Sequence, residues 1–303
     1  MDNIAGSSSI VFNQSNLVPS TNQNQYTYTF QGSRTFKNNK VAIKSISLYY
    51  SWKNITAAYG NNVFQIIWPI TASSSTVTTT ATYTLTVPDG NYSTSQLNTV
   101  IQNFCIANKL YLYLTSSPTT FYYYISCQSN ANYYSTEFDF FPIPDSALQT
   151  TLGLSQPSGW PTTNTFASAF IPQLIVPAAT TTNSFSSLIG YLPGTYPSTY
   201  LSTVNVGVQS TFAPQASPVK SIIVGLSIAA NYFGVNNAVI GTFAFANTQF
   251  GQIISYTPPY PYYTDLLDGS YTGITLTFWD QNYNPLPIYD SNITADLSIL
   301  HTK

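Results

Sequence analysis

An all-β chain built around a single eight-strand jelly-roll sandwich is predicted by three features of the sequence. The first is composition. Aromatics make up 16% of the 303 residues and charged residues only 6%. Apolar area is therefore ample to offset chain entropy, and the abundant Tyr, Thr, Val, Ile and Phe suit a pleated, half-buried surface. The second is alternation with a period of two, the mark of a half-buried strand. The third is a count. Outside a long middle block the clear strands number three before it (25–31, 41–52, 63–68) and five after it (219–230, 239–246, 252–256, 274–280, 293–299). Eight antiparallel strands in one body is the jelly-roll number. The middle block then becomes a mostly β insertion between the third and fourth strands. The expected organisation is an N-terminal arm at 1–22, a discontinuous jelly-roll domain at 23–72 and 216–303, and an insertion domain at 73–215.

In chain order, residues 1–22 are polar apart from Ile10-Val11-Phe12 and read as an arm or a short edge strand. Tyr26, Tyr28 and Phe30 alternate with Gln25, Thr27 and Thr29, and Gly32-Ser33 is expected to end that strand. Residues 41–69 read as two long strands joined by a turn at Tyr59-Gly60-Asn61-Asn62. In the first of these, Val41 and Ile43 share one parity, whereas Ile46, Leu48, Tyr50 and Trp52 share the other. A period of two cannot change phase unaided, so a bulge is expected near Lys44-Ser45. Pro69 is expected to close the strand 63–68. The Thr/Ser run 71–80 reads as a crossing between domains, and Pro88-Asp89-Gly90 as a turn. Ser93-Thr94-Ser95-Gln96 fits a capping box with Ser93 as N-cap. Leu97, Val100, Ile101, Phe104 and Cys105 then share one helical stripe that ends near Asn108. Strands are expected at 110–114, 121–127 and 133–141, and a short helix at 145–152 stopped by Gly153. Residues 155–217 are rich in Pro, Ser and Thr, with loops that present aromatics and short strands at 166–171 and 204–209. Pro214 and Pro218 mark a second crossing.

The formal net charge is −2, without the basic excess of a dedicated nucleic-acid binder. Five of the eight basic residues, Arg34, Lys37, Lys40, Lys44 and Lys53, crowd into one stretch. Half of the ten acids, Asp265, Asp268, Asp280, Asp290 and Asp296, crowd into another. These are the candidate subunit-contact charges, pairing between strands of one subunit or across a subunit boundary and setting orientation rather than affinity. The alternatives are a nucleic-acid patch for the basic five and a calcium site at Asp265 and Asp268. A solvated strand face accounts better for the bases, and turn sequences such as Leu267-Asp268-Gly269 for the acids. Trp160, Tyr191, Tyr196 and Tyr200 are candidate outer-surface aromatics. The single histidine, His301, sits at the C-terminal end of the sequence and reads as a solvated side chain rather than part of a triad or metal site. Cys105 lies on the helical stripe, and Cys105 and Cys127 read as buried free thiols rather than a bridge. No catalytic, cofactor-binding or metal-ligating set is expected. The N-terminus lacks the regions of a signal peptide, and no apolar run approaches the ~18 residues of a membrane span.

Six segments carry a family resemblance: Ile46-Ser-Leu-Tyr-Tyr-Ser-Trp-Lys-Asn-Ile55, Tyr59-Gly-Asn-Asn62, Val87-Pro-Asp-Gly-Asn-Tyr-Ser-Thr-Ser-Gln-Leu-Asn98, Asp268-Gly269, Phe278-Trp-Asp-Gln281 and Pro285-Leu-Pro-Ile-Tyr-Asp-Ser-Asn-Ile293. Together they resemble the penton (minor capsid) proteins of Maverick/Polinton-type elements and their virophage relatives. Each is a strand-and-turn signature, none is catalytic, and nothing in 110–215 takes part. The resemblance implies a single jelly roll that forms a homopentamer at each five-fold vertex of an icosahedral virion assembled inside the host cell. It implies contacts with trimers of the major capsid protein and an outward-facing insertion; the loop aromatics Trp160, Tyr191, Tyr196 and Tyr200 make that insertion a candidate to contact the host-cell surface or a helper virus. The residues themselves lead to the expectation of no enzyme activity, no cofactor, no dedicated nucleic-acid binding and no membrane span. On the residues alone, the rival reading is a carbohydrate-binding jelly-roll module that uses exposed Trp and Tyr as sugar platforms.

Overall fold

The computed structural model describes residues 4–73, 76–161, 170–178, 184–216, 219–232, 236, 238–246 and 248–302. The chain divides into two units: unit 1 combines Met1–Trp52 with Val219–Lys303, and unit 2 is Lys53–Pro218. Unit 1 begins with β1 (Ile4–Phe12), β2 (Leu17–Pro19), β3 (Gln25–Phe36) and β4 (Asn39–Tyr49). Unit 2 holds β5 (Val63–Ser73), β6 (Thr76–Thr86), α1 (Thr94–Ala107), β7 (Tyr111–Leu114), β8 (Ser117–Tyr123), β9 (Ile125–Asn130), β10 (Ser135–Phe140), α2 (Ser146–Leu152), β11 (Leu154–Ser155), β12 (Gln173–Val176), α3 (Phe185–Ile189), β13 (Gly194–Tyr196) and β14 (Val206–Gln209). Unit 1 resumes with β15 (Ser221–Leu226), β16 (Val239–Ala244), β17 (Ile253–Tyr256), β18 (Thr264–Asp265), β19 (Gly269–Asp280) and β20 (Thr294–Thr302).

Unit 1 is a jelly roll. One sheet has the order β1-β20-β4-β17, with β18 also on β4, and the other has the order β16-β15-β19-β3-β2. With the short β2 and β18 set aside, the strands taken in chain order fall as 1-8-3-6 in one sheet and 5-4-7-2 in the other, the order of two interlocked Greek keys. Phe12, Tyr26, Ile43, Ile222, Phe243, Ile254, Leu276 and Leu297, drawn from both sheets, share one buried core. Unit 2 is inserted after β4 and before β15, that is, between the third and fourth strands of this series.

The phase change in β4 is resolved by a bulge. Asp296 of β20 opposes Ser45, and the next residue, Leu297, opposes Ile43, so Lys44 is the extra residue. Val41 and Ile43 on one side of it, and Ile46 and Leu48 on the other, all reach the same core. A second irregularity explains why Gly32-Ser33 does not end β3. Tyr271 opposes Arg34 while Gly273 opposes Thr29, so residues 30–33 loop out within a strand that continues to Phe36.

Unit 2 contains a four-stranded sheet, β13-β12-β5-β6, and two three-stranded sheets, β14-β10-β9 and β11-β7-β8. Helix α1 starts as expected: Ser93 accepts from the Gln96 backbone N–H, and the Gln96 side chain accepts from the Ser93 N–H, a complete capping box. Leu97, Ile101 and Cys105 form its buried stripe. Asp145 caps α2, which Gly153 ends in the left-handed region at φ 66°. The two ends of unit 2 are tied by Asn54, a buried side chain. Its amide donates to the Tyr92 carbonyl (2.9 Å) and the Ala216 carbonyl (2.7 Å), and its oxygen accepts from the Tyr92 N–H (2.9 Å).

Several expectations need correction. Strand β5 belongs to unit 2, not to the jelly roll: it pairs with β6 and β12, and Phe64, Ile66 and Trp68 feed the core of unit 2. It therefore forms no hairpin with β4, and the turn at Gly60 lies within unit 2. The first jelly-roll strand is instead β1, which lies in the expected arm and pairs with β20. Pro69 does not close β5. The strand continues to Ser73 with a register irregularity between Pro69 and Thr71, which accommodates a residue that cannot donate to the ladder. The Thr run is no crossing, because β5 takes 71–73 and β6 takes 76–80 of it; β-branched Thr suits a strand. The expected strand at 121–127 is broken at Tyr124 into β8 and β9. Helix α3 has no counterpart in the sequence reading, and the strand expected at 166–171 lies largely outside the described residues.

Ser93→Ala removes an N-cap acceptor from α1. It should lower the unfolding free energy of the unit by about 1 kcal/mol, read as a lower midpoint in urea.

Candidate functional site

The charges that the sequence groups into two clusters are used in three ways. Two of the expected pairs form within the chain. Lys44, on the bulge, places Nζ 2.9 Å from Asp296 Oδ2 on the facing strand, and Lys40 reaches Asp265 Oδ1 at 3.8 Å. The Lys44 side chain is 62% exposed, so this pair orients the bulge more than it stabilises the fold, worth at most about 1 kcal/mol. Lys53 turns instead to Asp89 (3.9 Å), an acid outside the expected cluster.

The remaining acids build turns. Asp280 is buried, and its Oδ1 accepts from the N–H groups of Asn282 (2.8 Å) and Asn284 (2.9 Å) while Oδ2 accepts from the Asn284 amide (2.9 Å). Asp290 Oδ1 accepts from the Asn292 N–H (2.9 Å) and its side-chain amide (2.8 Å). Asp268 Oδ1 accepts from the Asn38 N–H (2.8 Å) and so fixes the β3–β4 turn. Asp280 and Asp290 do this because a short Asp side chain can reach its own backbone two residues on, whereas Asp268 reaches across to a neighbouring turn. Arg34 and Lys37 are exposed, and neither has an ion-pair partner among the described residues. His301 is hydrogen-bonded to Ser8 Oγ at 3.0 Å and links β20 to β1. No group of three or more His, Cys, Asp or Glu is placed to hold a metal ion among the described residues.

The aromatic expectations fare less well. Tyr191 is fully buried and is not a surface residue. Its hydroxyl accepts from the Phe138 N–H (3.2 Å), donates to the Val208 carbonyl and lies 3.2 Å from the Thr136 carbonyl. Burial raises its phenol well above the ordinary range, which keeps the donating proton in place. Trp160 packs edge-on against Trp68 with ring centroids 5.6 Å apart, and Tyr196 against Tyr191 at 5.1 Å. Trp160, Tyr196 and Tyr200 are thus half-buried lids on the core of unit 2. Loop composition suggests exposure, but a large ring beside a core is worth more buried, roughly 25 cal/mol per Å² covered.

The truly exposed rings lie elsewhere: Tyr133 and Tyr134 at the β9–β10 turn, Tyr232, and Tyr260 and Tyr262 in the loop after β17. The Pro258-Pro-Tyr-Pro-Tyr-Tyr263 segment was the available signal, because consecutive prolines hold a chain away from sheet pairing. Two of the open hollows among the described residues are the following. In unit 1, Asn38, Lys40, Tyr232, Asp265, Asp268 and Thr302 line one of about 560 Å³. In unit 2, Tyr122, Tyr124, Pro142, Pro144, Leu148 and Leu152 line an apolar groove of about 410 Å³. Both cysteines are free and buried. Burial pushes the Cys105 thiol up to about 12 and raises that of Cys127 as well.

Two measurements follow. Tyr191→Phe leaves the Phe138 N–H and the nearby carbonyls without their buried partner, and should lose about 1–3 kcal/mol of stability. Tyr262→Phe, at an exposed ring, should stay within about 0.5 kcal/mol. A thiol reagent at pH 8 should find neither cysteine in the folded chain and both after denaturation, since only the thiolate reacts.

No protein-family model matches the chain, and no curated protein matches it either. Among solved structures the chain is similar to the mavirus penton protein, at 10% identity over 98% of this chain and 100% of that one, with a TM-score of 0.42. It is also similar to a chain in the structure of the Sputnik virophage, at 13% identity over 96% of this chain and 97% of that one, with a TM-score of 0.34.

Proposed function

We propose that this chain is a structural protein of an icosahedral capsid that forms homopentamers and closes the five-fold vertices. The observation that carries the reading is the strand order of unit 1, with a whole second unit inserted between its third and fourth strands. Fold alone does not assign function. Two further features support this one. The six segments that resemble penton proteins fall on the strands and turns that frame unit 1 and on the opening of unit 2. The surface is also weakly charged and rich in tyrosine, which suits a chain that buries its sides against others without desolvating many ions.

On this reading a jelly roll is a rigid wedge. Five copies meet head to tail, and the contact closes into a ring when each rotation is one fifth of a turn. The neighbours beyond the ring are trimers of the major capsid protein. The chain acts in the virion, after assembly in the host cell, and its role is structural rather than catalytic. Unit 2 faces outward and contacts the host-cell surface or a helper virus. For that contact, Tyr133, Tyr134 and the apolar groove of unit 2 are better placed than the half-buried Trp160, Tyr196 and Tyr200.

The rival carbohydrate-binding module has one feature in its favour, the exposed Tyr232 beside the polar hollow of unit 1. Native mass spectrometry and electron microscopy of the purified chain separate the two. The expected result is a species five times the chain mass, seen as a five-membered ring. A stable monomer that binds neutral glycans on an array would overturn the capsid reading in favour of the rival.

A further inference from the structure

Charge is absent from both sides of the jelly roll. Residues 4–33 and 221–264 contain no Asp, Glu, Lys or Arg. These segments supply the strands at the margins of the two sheets. At one side, β1 ends its sheet and β2 ends the other, and Phe12 of β1 packs against Tyr28 of β3, the strand that β2 pairs with, ring centroids 5.4 Å apart. At the opposite side, β17 and β16 are the margins, joined by the stacked Phe243 and Tyr256 rings at 4.7 Å. The described charges of unit 1 sit instead on the central strands β4 and β20, at strand ends and in turns. Asp265 marks the end of the second side, and Lys40 answers it there.

Terminal strands expose unpaired backbone groups, and soluble proteins commonly blunt them with lysine, proline or a bulge. Along β1 and β17 none of these protects the open edge within the residues Ser7–Phe12 and Ile253–Tyr256. Apolar side chains stand out from both sides. The β16/β17 side presents Ile253 (53% exposed), Tyr260 (74%) and Tyr262 (76%), with Phe250 and Tyr263 beside them. The β1/β2 side presents Val11 and Val18, the latter 66% exposed. Covering the five side chains from Phe250 to Tyr263 would bury roughly 600 Å², most of the about 800 Å² that each partner contributes to a stable interface.

We propose that the β16/β17 side of one copy, with its Pro/Tyr loop, docks on the β1/β2 side of a second copy. The two surfaces differ and lie on opposite sides of one sandwich, so the contact is head to tail, the kind that closes into a ring when the rotation per copy divides a full turn. Absence of charge on both faces means that burial strands no ion. This inference rests on the capsid-assembly reading and names the surfaces that reading requires.

The test uses full-length chains. Variant one carries Ile253→Lys and Tyr262→Lys, which spoils the β16/β17 side. Variant two carries Val11→Lys and Val18→Lys, which spoils the other. All four positions are exposed, so each variant should fold, with the circular-dichroism spectrum of the original chain and a cooperative melt. Each should self-associate at least ~100-fold more weakly than the original chain. A mixture of the two should form a one-to-one pair and nothing larger, because only one good side remains on each. Self-assembly of either variant at the original strength would overturn the assignment of these surfaces while leaving the assembly reading intact. So would loss of a non-self partner without loss of self-assembly. A monomeric original chain at every concentration would sink the assembly reading, and this proposal with it. If a lysine variant fails to fold, Ile253→Ser and Val18→Ser replace it; weakened assembly in both supports the pairing, and undiminished assembly in both overturns it.

Discussion

Strand β4 has to serve one core with side chains of both parities, and the bulge at Lys44 is what allows it. Without the extra residue, either Val41 and Ile43 or Ile46 and Leu48 would point to solvent, since a one-residue shift turns every side chain to the other face. Exposing two such residues forfeits about 1.5–3 kcal/mol each, a large share of the stability of a domain. The bulge also fixes which residues of β20 face β4, and β20 in turn seats β1. One inserted residue therefore sets the register of a whole sheet. The ion pair from Lys44 to Asp296 sits on the bulge, but the geometry is required by the apolar residues around it.

Much of this was legible in the sequence, for a physical reason. Parity, capping and turn chemistry are local, and local rules gave the bulge, the complete cap at Ser93 and Gln96, the end of α2 at Gly153 and most strands after residue 219. What was not legible is which sheet a strand joins. Val63 to Trp68 reads as a strand as readily as any in the jelly roll, yet Phe64, Ile66 and Trp68, on one of its faces, pack in the other unit. Periodicity reports that one face is buried and is silent about what buries it. Residues 1–22 read only as an arm or a short edge strand because Ser7, Ser8 and Ser9 hide the alternation of β1, which is an edge strand held by pairing with β20 and by Phe12. The aromatics failed in the same way. Tyr191 sits in a Gly/Pro loop that looks exposed, but three backbone groups of two strands converge on its hydroxyl.

The charged residues show how a chain with few ions spends them on geometry. Asp268, Asp280 and Asp290 each hold backbone N–H groups in turns, and Lys40 and Lys44 steady strands that already pair. Orientation within the chain thus accounts for most of the two clusters, and only Arg34 and Lys37 are left exposed without a partner among the described residues. The remaining surface owes its character to tyrosine, threonine and asparagine, which can be wetted or covered at similar free-energy cost.

Asn54 ties the first residues of unit 2 to the last through the Ala216 carbonyl. During synthesis unit 2 is complete before β15 is made, whereas every partner of β4 (β17, β18 and β20) is made after it. Once unit 2 has folded, its two ends lie side by side, and β4 and β15 are separated by a short effective tether instead of by the full length of Lys53–Pro218. Loop-closure entropy grows by about 0.6 kcal/mol per doubling, so the shortening is worth on the order of 3 kcal/mol. The buried amide of one asparagine thereby makes the insertion behave, for the assembling jelly roll, as little more than a turn.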